Sequence, residues 1–338
     1  MKKKSIYMAL SFLALVACKD SEKKEKAVIT TPAGEVSAPS GKVYAEISVK
    51  EGGTWQDGPR DHKEYTGGTF RNVDRLDVPG EHTDHTWYIR YEGPGWENSN
   101  VGYRLYLDWR NAIDVWGKKV DTLVLPYVGQ DGFDSYHKPA DWGMDVLKVA
   151  KGLGVGSYGR QVDGKTHHFN VVANTAAEVK NTDKEARVII DYKGWETPGA
   201  TIDLRSALSM YPEGRYMKVV LKPSEKTEGL CTGIVKFDDI DFLRKKGKQW
   251  GYIATYGKQS LSGADDQLGM AVFYKLSEAA ELTTGTDDHL VIFKPAAKIT
   301  YYLLAAWDQE KEGITDEEEF TGHLDELLSR LDTAGRLE

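Results

Sequence analysis

Two arginines in a predicted β-hairpin are the side chains of this sequence best suited to bind an anion. Residues 85–91 and 101–109 each alternate polar and apolar side chains and are rich in β-forming types. If the two strands pair, Arg90 and Arg104 lie on one polar face together with the phenol of Tyr106. Guanidinium groups bind carboxylates and sulfates through paired hydrogen bonds, so this face is a candidate anion site. A solvated outer face with routine ion pairs is the alternative.

The densest polar loop of the chain covers residues 129–137 and follows an apolar run that reads as a buried strand. Functional side chains are often carried by loops at strand ends. His137 can accept a proton, and Tyr136 can donate one or, with a lowered pKa, act as a base. The aspartates of this loop and His137 could instead hold calcium or a transition metal, or the loop could be purely structural.

Two further histidines are candidates for acid–base chemistry. His85 begins the first strand of the predicted hairpin, and His168 follows the turn at residues 163–164. Because consecutive strand residues point in opposite directions, only one of His167 and His168 can face a cleft. The 8 histidines show neither a His-x-x-x-His helix spacing nor an EF-hand pattern. The sequence therefore predicts no cofactor and leaves a metal requirement open.

These groups must be positioned by an all-β framework, because strand-like patterns dominate from Val43 onward. One amphipathic helix is predicted near the end of the chain, with a capping box at residues 315–318 and a stop at Gly335. Its apolar face comprises Phe320, Leu324, Leu327, Leu328 and Leu331. Further strands are predicted at 122–128, 155–162, 186–192, 216–221, 252–256, 270–274, 289–293 and 300–307. We expect one large single-domain β-sandwich over residues 43–338, of which a mutarotase-like supersandwich is one form, with a C-terminal amphipathic helix.

The N-terminus has the pattern of a bacterial export signal. Residues 1–17 combine three lysines, a short apolar run and a small residue at the exit. Cys18 then completes a sequence that resembles a lipobox, and residues 18–42 are polar and rich in Pro, Ser and Ala, which is typical of a flexible tether. We expect lipidation at Cys18 and an outer-membrane lipoprotein on the cell surface or the periplasmic face. An ordinary signal peptide with an incidental cysteine is the alternative.

Composition narrows the classes of ligand. A net charge of −8 with no basic tract argues against nucleic acid as a partner. Cys231 has no intramolecular partner once Cys18 carries lipid, so neither a disulfide framework nor a structural zinc site built on several thiolates is expected. The 9 Trp and 18 Tyr outnumber the 9 Phe, and such rings stack on sugars while their N–H or O–H groups bond hydroxyls. The alternative is that these rings fill the core of a sheet and mark its rim.

Several segments also carry a family resemblance. They are residues 87–96, 103–114, 129–137, 250–256, 259–270 and 301–307. Together they resemble a secreted Bacteroidota lipoprotein family long described as a domain of unknown function, whose members sit among polysaccharide-degrading systems. That family includes a dehydratase acting on ulvan oligosaccharides. The resemblance implies a carbon–oxygen lyase that removes water from a non-reducing-end uronic acid of an anionic oligosaccharide and leaves a 4,5-unsaturated uronate.

Dehydration of a uronate requires three tasks, and residue chemistry suggests candidates for each. The substrate carboxylate must be neutralised, which we assign to Arg104 supported by Arg90. A base must remove the C5 proton, and an acid must protonate the departing hydroxyl. His137 or His85 is the expected base, with His168 as a further histidine, and Tyr136 or Tyr106 is the expected acid. Asn111 and Gln259 are candidates to orient hydroxyls, and Trp109, Trp142 and Trp250 are candidate sugar platforms.

Three other functions fit the same sequence. A glycoside hydrolase would use two carboxylates drawn from Asp108, Asp114, Asp131 and Asp134. A non-catalytic glycan-binding surface lipoprotein would need the aromatic rings but not the histidines. A sugar mutarotase is the third alternative, because that class often uses large β-sandwiches.

Overall fold

Strands make up most of the computed structural model, which describes residue 39 and residues 41–59, 61–132, 135–263 and 265–338. Within these residues there are 21 strands and a single α-helix. In chain order the strands are β1 (Val43–Glu46), β2 (Ser48–Asp57), β3 (Lys63–Asn72), β4 (Arg75–Asp77), β5 (Gly95–Asn98), β6 (Val101–Leu105), β7 (Ile113–Lys118), β8 (Gly143–Asp145), β9 (Val155–Val162), β10 (Lys165–His167), β11 (Asn174–Thr182), β12 (Glu185–Thr197), β13 (Ala200–Met210), β14 (Tyr216–Pro223), β15 (Leu230–Val235), β16 (Leu243–Lys246), β17 (Trp250–Gly257), β18 (Leu268–Lys275), β19 (Ala279–Thr284), β20 (Asp288–Phe293) and β21 (Ile299–Trp307). The helix α1 covers Glu317–Ala334.

The strands form four antiparallel sheets. A nine-stranded sheet has the order β16-β17-β18-β21-β14-β13-β12-β11-β4, and a five-stranded sheet has the order β10-β9-β15-β20-β19. A second five-stranded sheet, called the site sheet below, has the order β1-β5-β6-β7-β8, and β2 and β3 pair only with each other. The fold is thus all-β and sandwich-like, as predicted, with one C-terminal helix.

Strand β21 contributes side chains to two cores, one on each face of the nine-stranded sheet. Its residues Tyr301, Leu303, Ala305 and Trp307 belong to the main core between the sheets. The alternate residues Tyr302, Leu304 and Ala306 form a second core with α1. A central strand buried on both faces reads as a continuous apolar run, which explains the pattern at 300–307.

Helix α1 confirms the predicted apolar face and stop. Phe320, Leu324, Leu327, Leu328 and Leu331 are all buried against the nine-stranded sheet. Gly335 ends the helix in the left-handed conformation, with φ at 73°. The cap lies one residue later than predicted: the side chain of Asp316 accepts from the Glu319 amide, and Glu319 accepts from the Thr315 amide. No helix in the described ranges is long and apolar enough to cross a membrane.

Two strand predictions are wrong, and a third is too long, because the strand predicted at 101–109 ends at Leu105 and residues 107–110 form a turn. The segment 85–91 is an irregular loop that ends in a 3₁₀ turn at Arg90–Glu92, so it does not pair with β6. Strand β6 instead lies between β5 and β7 and pairs with both. The apolar run at 122–128 is a buried loop with a 3₁₀ turn at Leu125–Tyr127, where Pro126 stands at the start of the turn. The predicted signal peptide, Cys18 and the tether up to residue 38 lie outside the described residues.

Candidate active site

The candidate site is built on one face of the site sheet. On β6 and β7, Tyr103, Leu105, Ile113 and Val115 point into the main core. Their neighbours along each strand therefore point to the opposite face. Pairing places Glu46, Gly95, Arg104 and Asp114 in one row across β1, β5, β6 and β7. Charged side chains thus become neighbours on a rigid surface.

Glycines in these rows make room for aromatic rings that cover the charges. A Cβ on Gly95 would lie 2.8 Å from the Tyr91 hydroxyl. A Cβ on Gly102, in the next row, would lie 2.9 Å from the ring of Trp116. Tyr91, Trp116 and Tyr136 belong to a small aromatic cluster that seals this face of the sheet.

Arg104 is the centre of a fully buried charge network. Its Nη2 lies 2.8 Å from the Asp114 carboxylate and 2.7 Å from the Asp145 carboxylate. The same nitrogen donates to the Tyr106 hydroxyl at 2.7 Å, and Tyr106 in turn donates to Asp114 at 2.7 Å. Arg104 has no exposed surface, so it cannot contact a substrate in this conformation. Its position suits a residue that fixes the carboxylates around it.

One guanidinium holding two buried carboxylates leaves an excess negative charge. Burial and the nearby Asp145 raise the pKa of Asp114 to about 7, although Arg104 opposes the shift. Burial alone would lower the pKa of Arg104, but Tyr106, Asp114 and Asp145 outweigh it and raise that pKa instead. The network can therefore hold an extra proton near neutral pH.

His137 stands at the edge of this network. It belongs to a 3₁₀ turn at Ser135–His137, and its Nδ1 lies 3.1 Å from the Asp145 carboxylate. The side chain is 34% exposed, whereas that of Asp145 is 1% exposed. In a neutral imidazole, an ion-pair contact of this length between Nδ1 and a buried carboxylate favours the proton on Nδ1 and the lone pair on Nε2. The pair therefore has the geometry of an oriented general base.

The two candidate tyrosines lie inside the network rather than at its surface. Arg104 Nη1 donates to the Tyr136 hydroxyl at 3.2 Å, and the Tyr136 ring is 4.6 Å from the His137 ring. Tyr106 and Tyr136 are 6% and 2% exposed. Burial raises the pKa of both phenols, so both stay protonated at neutral pH.

A second arginine repeats the same arrangement. The Arg110 guanidinium binds the Asp108 carboxylate, with Nε at 3.0 Å from Oδ1, and its Nη2 lies 2.8 Å from Glu92. Its carbon Cζ sits 3.8 Å from the centre of the Tyr106 ring, whose hydroxyl binds Arg104. Burial would raise the pKa of Glu92, but Arg110 and Arg104 outweigh it and lower that pKa. Tyr106 thus joins two clusters, each with one arginine and two carboxylates.

His85 occupies in the second cluster the position that His137 has in the first. Its Nδ1 is 3.8 Å from Glu92 and 3.3 Å from Asp84, and its amide donates to Glu92 at 2.8 Å. The His85 side chain is 25% exposed. A Cβ on Gly132 would lie 3.8 Å from the Trp87 ring, so the loop that carries His137 reaches the segment that carries His85.

The backbone of this region is strained. Positive φ angles occur at His85 (59°), Trp87 (62°), Tyr91 (42°) and Glu92 (69°), none of which is glycine. Such residues cost roughly 1–3 kcal/mol each and persist where the surroundings impose them, commonly at functional sites. The contacts that impose these angles, such as the ion pair of Arg90 with Glu46, also keep this strand-like sequence from forming a strand.

Several predicted residues lie elsewhere or point inward. Arg90 is 1% exposed, pairs with Glu46 and donates to the Pro126 carbonyl, so it does not share an exposed face with Arg104. Asn111 is buried and accepts from Tyr192 at 2.5 Å.

Two predicted sugar contacts belong to other parts of the fold. Trp250 packs in the core beneath α1, and Gln259 is buried with its amide donating to the Leu268 carbonyl at 2.6 Å. Trp142 is half-buried against Trp116, beside the network. His168 donates through Nδ1 to the Arg110 carbonyl at 2.8 Å, and burial lowers its pKa.

Sequence reasoning missed two residues of this candidate site. Asp145 lies on β8, a strand of three residues, which is too short to show an alternation. Arg110 lies in the turn after β6, where the sequence predicts a strand up to residue 109. Within the described ranges, no group of three or more His, Cys, Asp or Glu side chains is placed to hold a metal ion.

The fold and the site define an all-β sandwich protein that carries two partly exposed histidines on linked arginine–carboxylate clusters. The sequence profile of one family, described as "Domain of unknown function (DUF4861)", matches residues 9–336. Because this match covers nearly the whole chain, the protein belongs to that family. A search of curated proteins found none that matches.

Proposed function

We propose that this protein is a hydro-lyase acting on uronate-terminated oligosaccharides of the ulvan type. It removes water from the non-reducing-end uronic acid and leaves a 4,5-unsaturated uronate. The observation that carries the proposal is the pairing of His137 with buried Asp145, 3.1 Å away, inside a network that also leads to His85. Two positioned imidazoles suit a reaction that needs one base and one acid.

The two histidines supply the base and the acid that the elimination needs. His137 takes the C5 proton on Nε2, and the electrons of that C–H bond form the C4–C5 double bond as the C4–O bond breaks. His85 protonates the departing hydroxyl, which leaves as water. The sequence predicts Tyr106 or Tyr136 as the acid, but both hydroxyls are internal and bind Arg104, so we assign both tyrosines to positioning Arg104. Each acid or base contributes about 10²–10⁴-fold to the rate.

Arg110 replaces Arg104 in our assignment of the carboxylate ligand. Its side chain is 12% exposed, while Arg104 has no exposed surface. Its Nη1 makes no hydrogen bond within the described residues, whereas Nε and Nη2 are held by Asp108 and Glu92. A guanidinium fixed on two sides can direct its remaining N–H groups at a substrate carboxylate, which would favour charge developing at C5.

The hydrolase alternative is weaker on geometry. Of its four candidate carboxylates, Asp114 is tied to Arg104 and Asp108 to Arg110. Asp131 is exposed, and Asp134 lies outside the described residues. A retaining or inverting hydrolase needs two carboxyl groups facing the scissile bond. A buried ion-paired carboxylate cannot take that position without leaving its arginine.

We further propose that Cys18 anchors the protein to the outer membrane through lipid, which rests on the sequence around that residue. Radiolabelled palmitate should enter the expressed full chain and not its Cys18→Ser variant. Equal labelling of both would refute the anchor.

The test of function is direct. The protein is mixed with oligosaccharides that end in a saturated uronate, and absorbance and mass are followed. Rising ultraviolet absorbance from a conjugated uronate, with loss of one water by mass, supports the proposal. Shortened saturated products would establish a hydrolase instead, and bound but unchanged oligosaccharide would establish a glycan-binding protein.

A further inference from the structure

A shallow trough lies on the outer face of the nine-stranded sheet, beside the part that helix α1 covers. Its volume is about 260 Å³. Alternate residues of β12, β13 and β14 point into the main core, so the residues between them face outward. The small side chains of Ala207, Ser209 and Val220 form the floor of the trough. Long charged side chains stand on either side of this floor and give the trough its depth.

Positive charge dominates the lining of the trough. Five cationic side chains stand against one carboxylate, that of Glu185; the five are Arg187, Arg205, Lys218, Lys222 and Lys298. Strand pairing places Arg205 directly opposite Lys222, and Lys298 is at the next position of the same row. Like charges on directly opposite residues are destabilising, so this row lowers stability unless an anion offsets it.

Protein carboxylates offset only part of this charge. Three of the cations are paired: Glu185 binds Arg187, Asp191 binds Arg205 and Glu338 binds Lys218. Lys222 and Lys298 are exposed and have no ion pair among the residues that the structure describes. The chain as a whole has a net charge of −8, so this local excess of positive charge runs against its composition. Such a site on an acidic protein attracts anionic ligands.

The cations stand at both ends of the trough. Arg205 and Lys222 lie in one cross-strand row, and Ser209 and Lys218 lie in another row, four residues further along the strands. At about 3.3 Å per residue, the two rows are about 13 Å apart. A single small anion cannot reach both ends, whereas an extended chain with several anionic groups can.

The side chains around the trough favour a polysaccharide over a membrane surface. The large apolar residues that are exposed in the described ranges are Val171 and Leu261, and neither lines the trough. No apolar side chain is therefore placed here to enter lipid. Tyr211 supplies a partly exposed ring with a hydroxyl, which suits contact with the face of a sugar.

The trough is separate from the candidate active site. The nine-stranded sheet and the site sheet both send alternate residues into the main core, which lies between their outer faces. The larger cleft beside Trp109, of about 610 Å³, is different, because it is lined by Asp108, which binds Arg110. That cleft belongs to the candidate active site, whereas the trough does not.

We infer that the trough is a second, non-catalytic site, which binds an extended anionic polysaccharide chain through its sulfate or carboxylate groups. Lys222 and Lys298 bind the anionic groups at one end, and Lys218 binds those at the other. The inference does not rest on the proposed function, since the trough takes no part in proton transfer. It gives the protein a means of staying on a polymer while its active site is free.

The test measures the binding of dextran sulfate and of unmodified dextran by titration calorimetry. The full chain carries Cys18→Ser, so that no lipid contributes. We expect dextran sulfate to bind, unmodified dextran not to bind, and the affinity for dextran sulfate to fall as salt is raised. Lys222→Glu combined with Lys298→Glu should weaken its binding at least about tenfold, because two charge-assisted contacts are lost. Lys222→Arg combined with Lys298→Arg should bind as the parent protein does.

Lys165→Glu combined with Lys246→Glu is the matched control, since both lysines are exposed, neither lines the trough, and the net charge changes by the same amount. Equal weakening by the two charge-reversed variants would overturn the site. Vesicles of phosphatidylglycerol test the other partner. If reversal at Lys222 and Lys298 abolishes vesicle binding but leaves dextran sulfate binding unchanged, the trough faces a membrane and the inference is wrong.

The site and the proposed reaction fail separately. The variant with Glu at positions 222 and 298 should dehydrate short uronate oligosaccharides as fast as the parent protein does. Dextran sulfate binding that depends on Lys222 and Lys298, without any dehydration, would support the site and refute the hydro-lyase. Dehydration by a protein that does not bind dextran sulfate would do the reverse.

Discussion

The pair formed by His137 and Asp145 allows the sharpest test of the mechanism. We consider three variants: His137→Gln, Asp145→Asn and the two combined. His137 is 34% exposed, so its replacement should remove a catalytic group with little effect on folding. The loss of a general base lowers kcat by about 10²–10⁴-fold, which corresponds to about 3–5 kcal/mol in the activation free energy.

Asp145 should act only through His137. Its side chain is 1% exposed and lies 3.1 Å from His137 Nδ1, so it orients the ring without contacting substrate. We expect Asp145→Asn to lower kcat by about 10–10³-fold, because an amide no longer fixes the tautomer. The double variant should be no slower than His137→Gln alone, since residues that work as a unit are not additive.

The assay is steady-state absorbance on the uronate oligosaccharide, with thermal unfolding of each variant as the control. Unfolding matters because Asp145 is also a partner of Arg104, at 2.7 Å. Removing one partner of a buried pair can cost about 3–5 kcal/mol, although asparagine can still accept from Arg104. If the two single effects multiply in the double variant, or if Asp145→Asn lowers the Tm but leaves kcat unchanged, His137 is not positioned by Asp145.

Three other perturbations follow from the same structure. Arg110→Gln should raise KM for the uronate about 10–100-fold, because a charge-assisted bond is lost. KM for a substrate with a methyl-esterified uronate should change little. Steady-state kinetics on the two substrates tests this. Burial raises the pKa of Asp288 to about 7. Between about pH 4 and pH 7 the folded state therefore keeps a proton that the unfolded state loses, so the free energy of unfolding falls as pH rises through this range. Asp288→Asn, which can still accept from the Leu153 amide, should therefore raise the Tm at pH 8 and reduce the parent's difference between pH 5 and pH 8; an unchanged difference would contradict the pKa shift. Gly335→Ala should cost about 1 kcal/mol in the free energy of unfolding, measured by denaturant titration, because Gly335 has φ at 73°.

The fold could be predicted from the sequence where long, regular patterns were present. The predicted strand at 155–162 matches β9, and the hairpin turn after it contains Asp163 and Gly164 with positive φ angles. The apolar face of α1 was also predicted correctly, because few other structures fit a period of 3.6 residues over five turns. These elements depend mainly on local sequence.

The segment around His85 could not be predicted in the same way. Residues 85–91 have strand-like composition, but long-range contacts decide their conformation. The His85 amide is taken by the Glu92 carboxylate, and Arg90 is drawn inward by Glu46, which lies 44 residues earlier. Asp145 was missed for a related reason, since its importance comes from the strand pairing that brings β8 beside β7.

The site has one part on paired strands and another part on loops. The strand part has a free-energy cost, because it buries charged side chains. Arg104, Asp114 and Asp145 stand on paired strands, where register fixes their separation. Taking these charges out of water costs several kcal/mol per ion, and one guanidinium does not balance two carboxylates. The raised pKa of Asp114 is the direct sign of that imbalance.

Loops, by contrast, carry the groups that we assign to proton transfer. His137 and His85 lie on irregular segments, and each touches a carboxylate that an arginine holds from the other side. A solvent-exposed histidine on a loop would ordinarily sample many orientations. The buried arginine–carboxylate clusters restrict that freedom, so their unfavourable burial is best understood as the cost of positioning two imidazoles. A network selected for stability alone would be replaced at lower cost by apolar residues of similar volume.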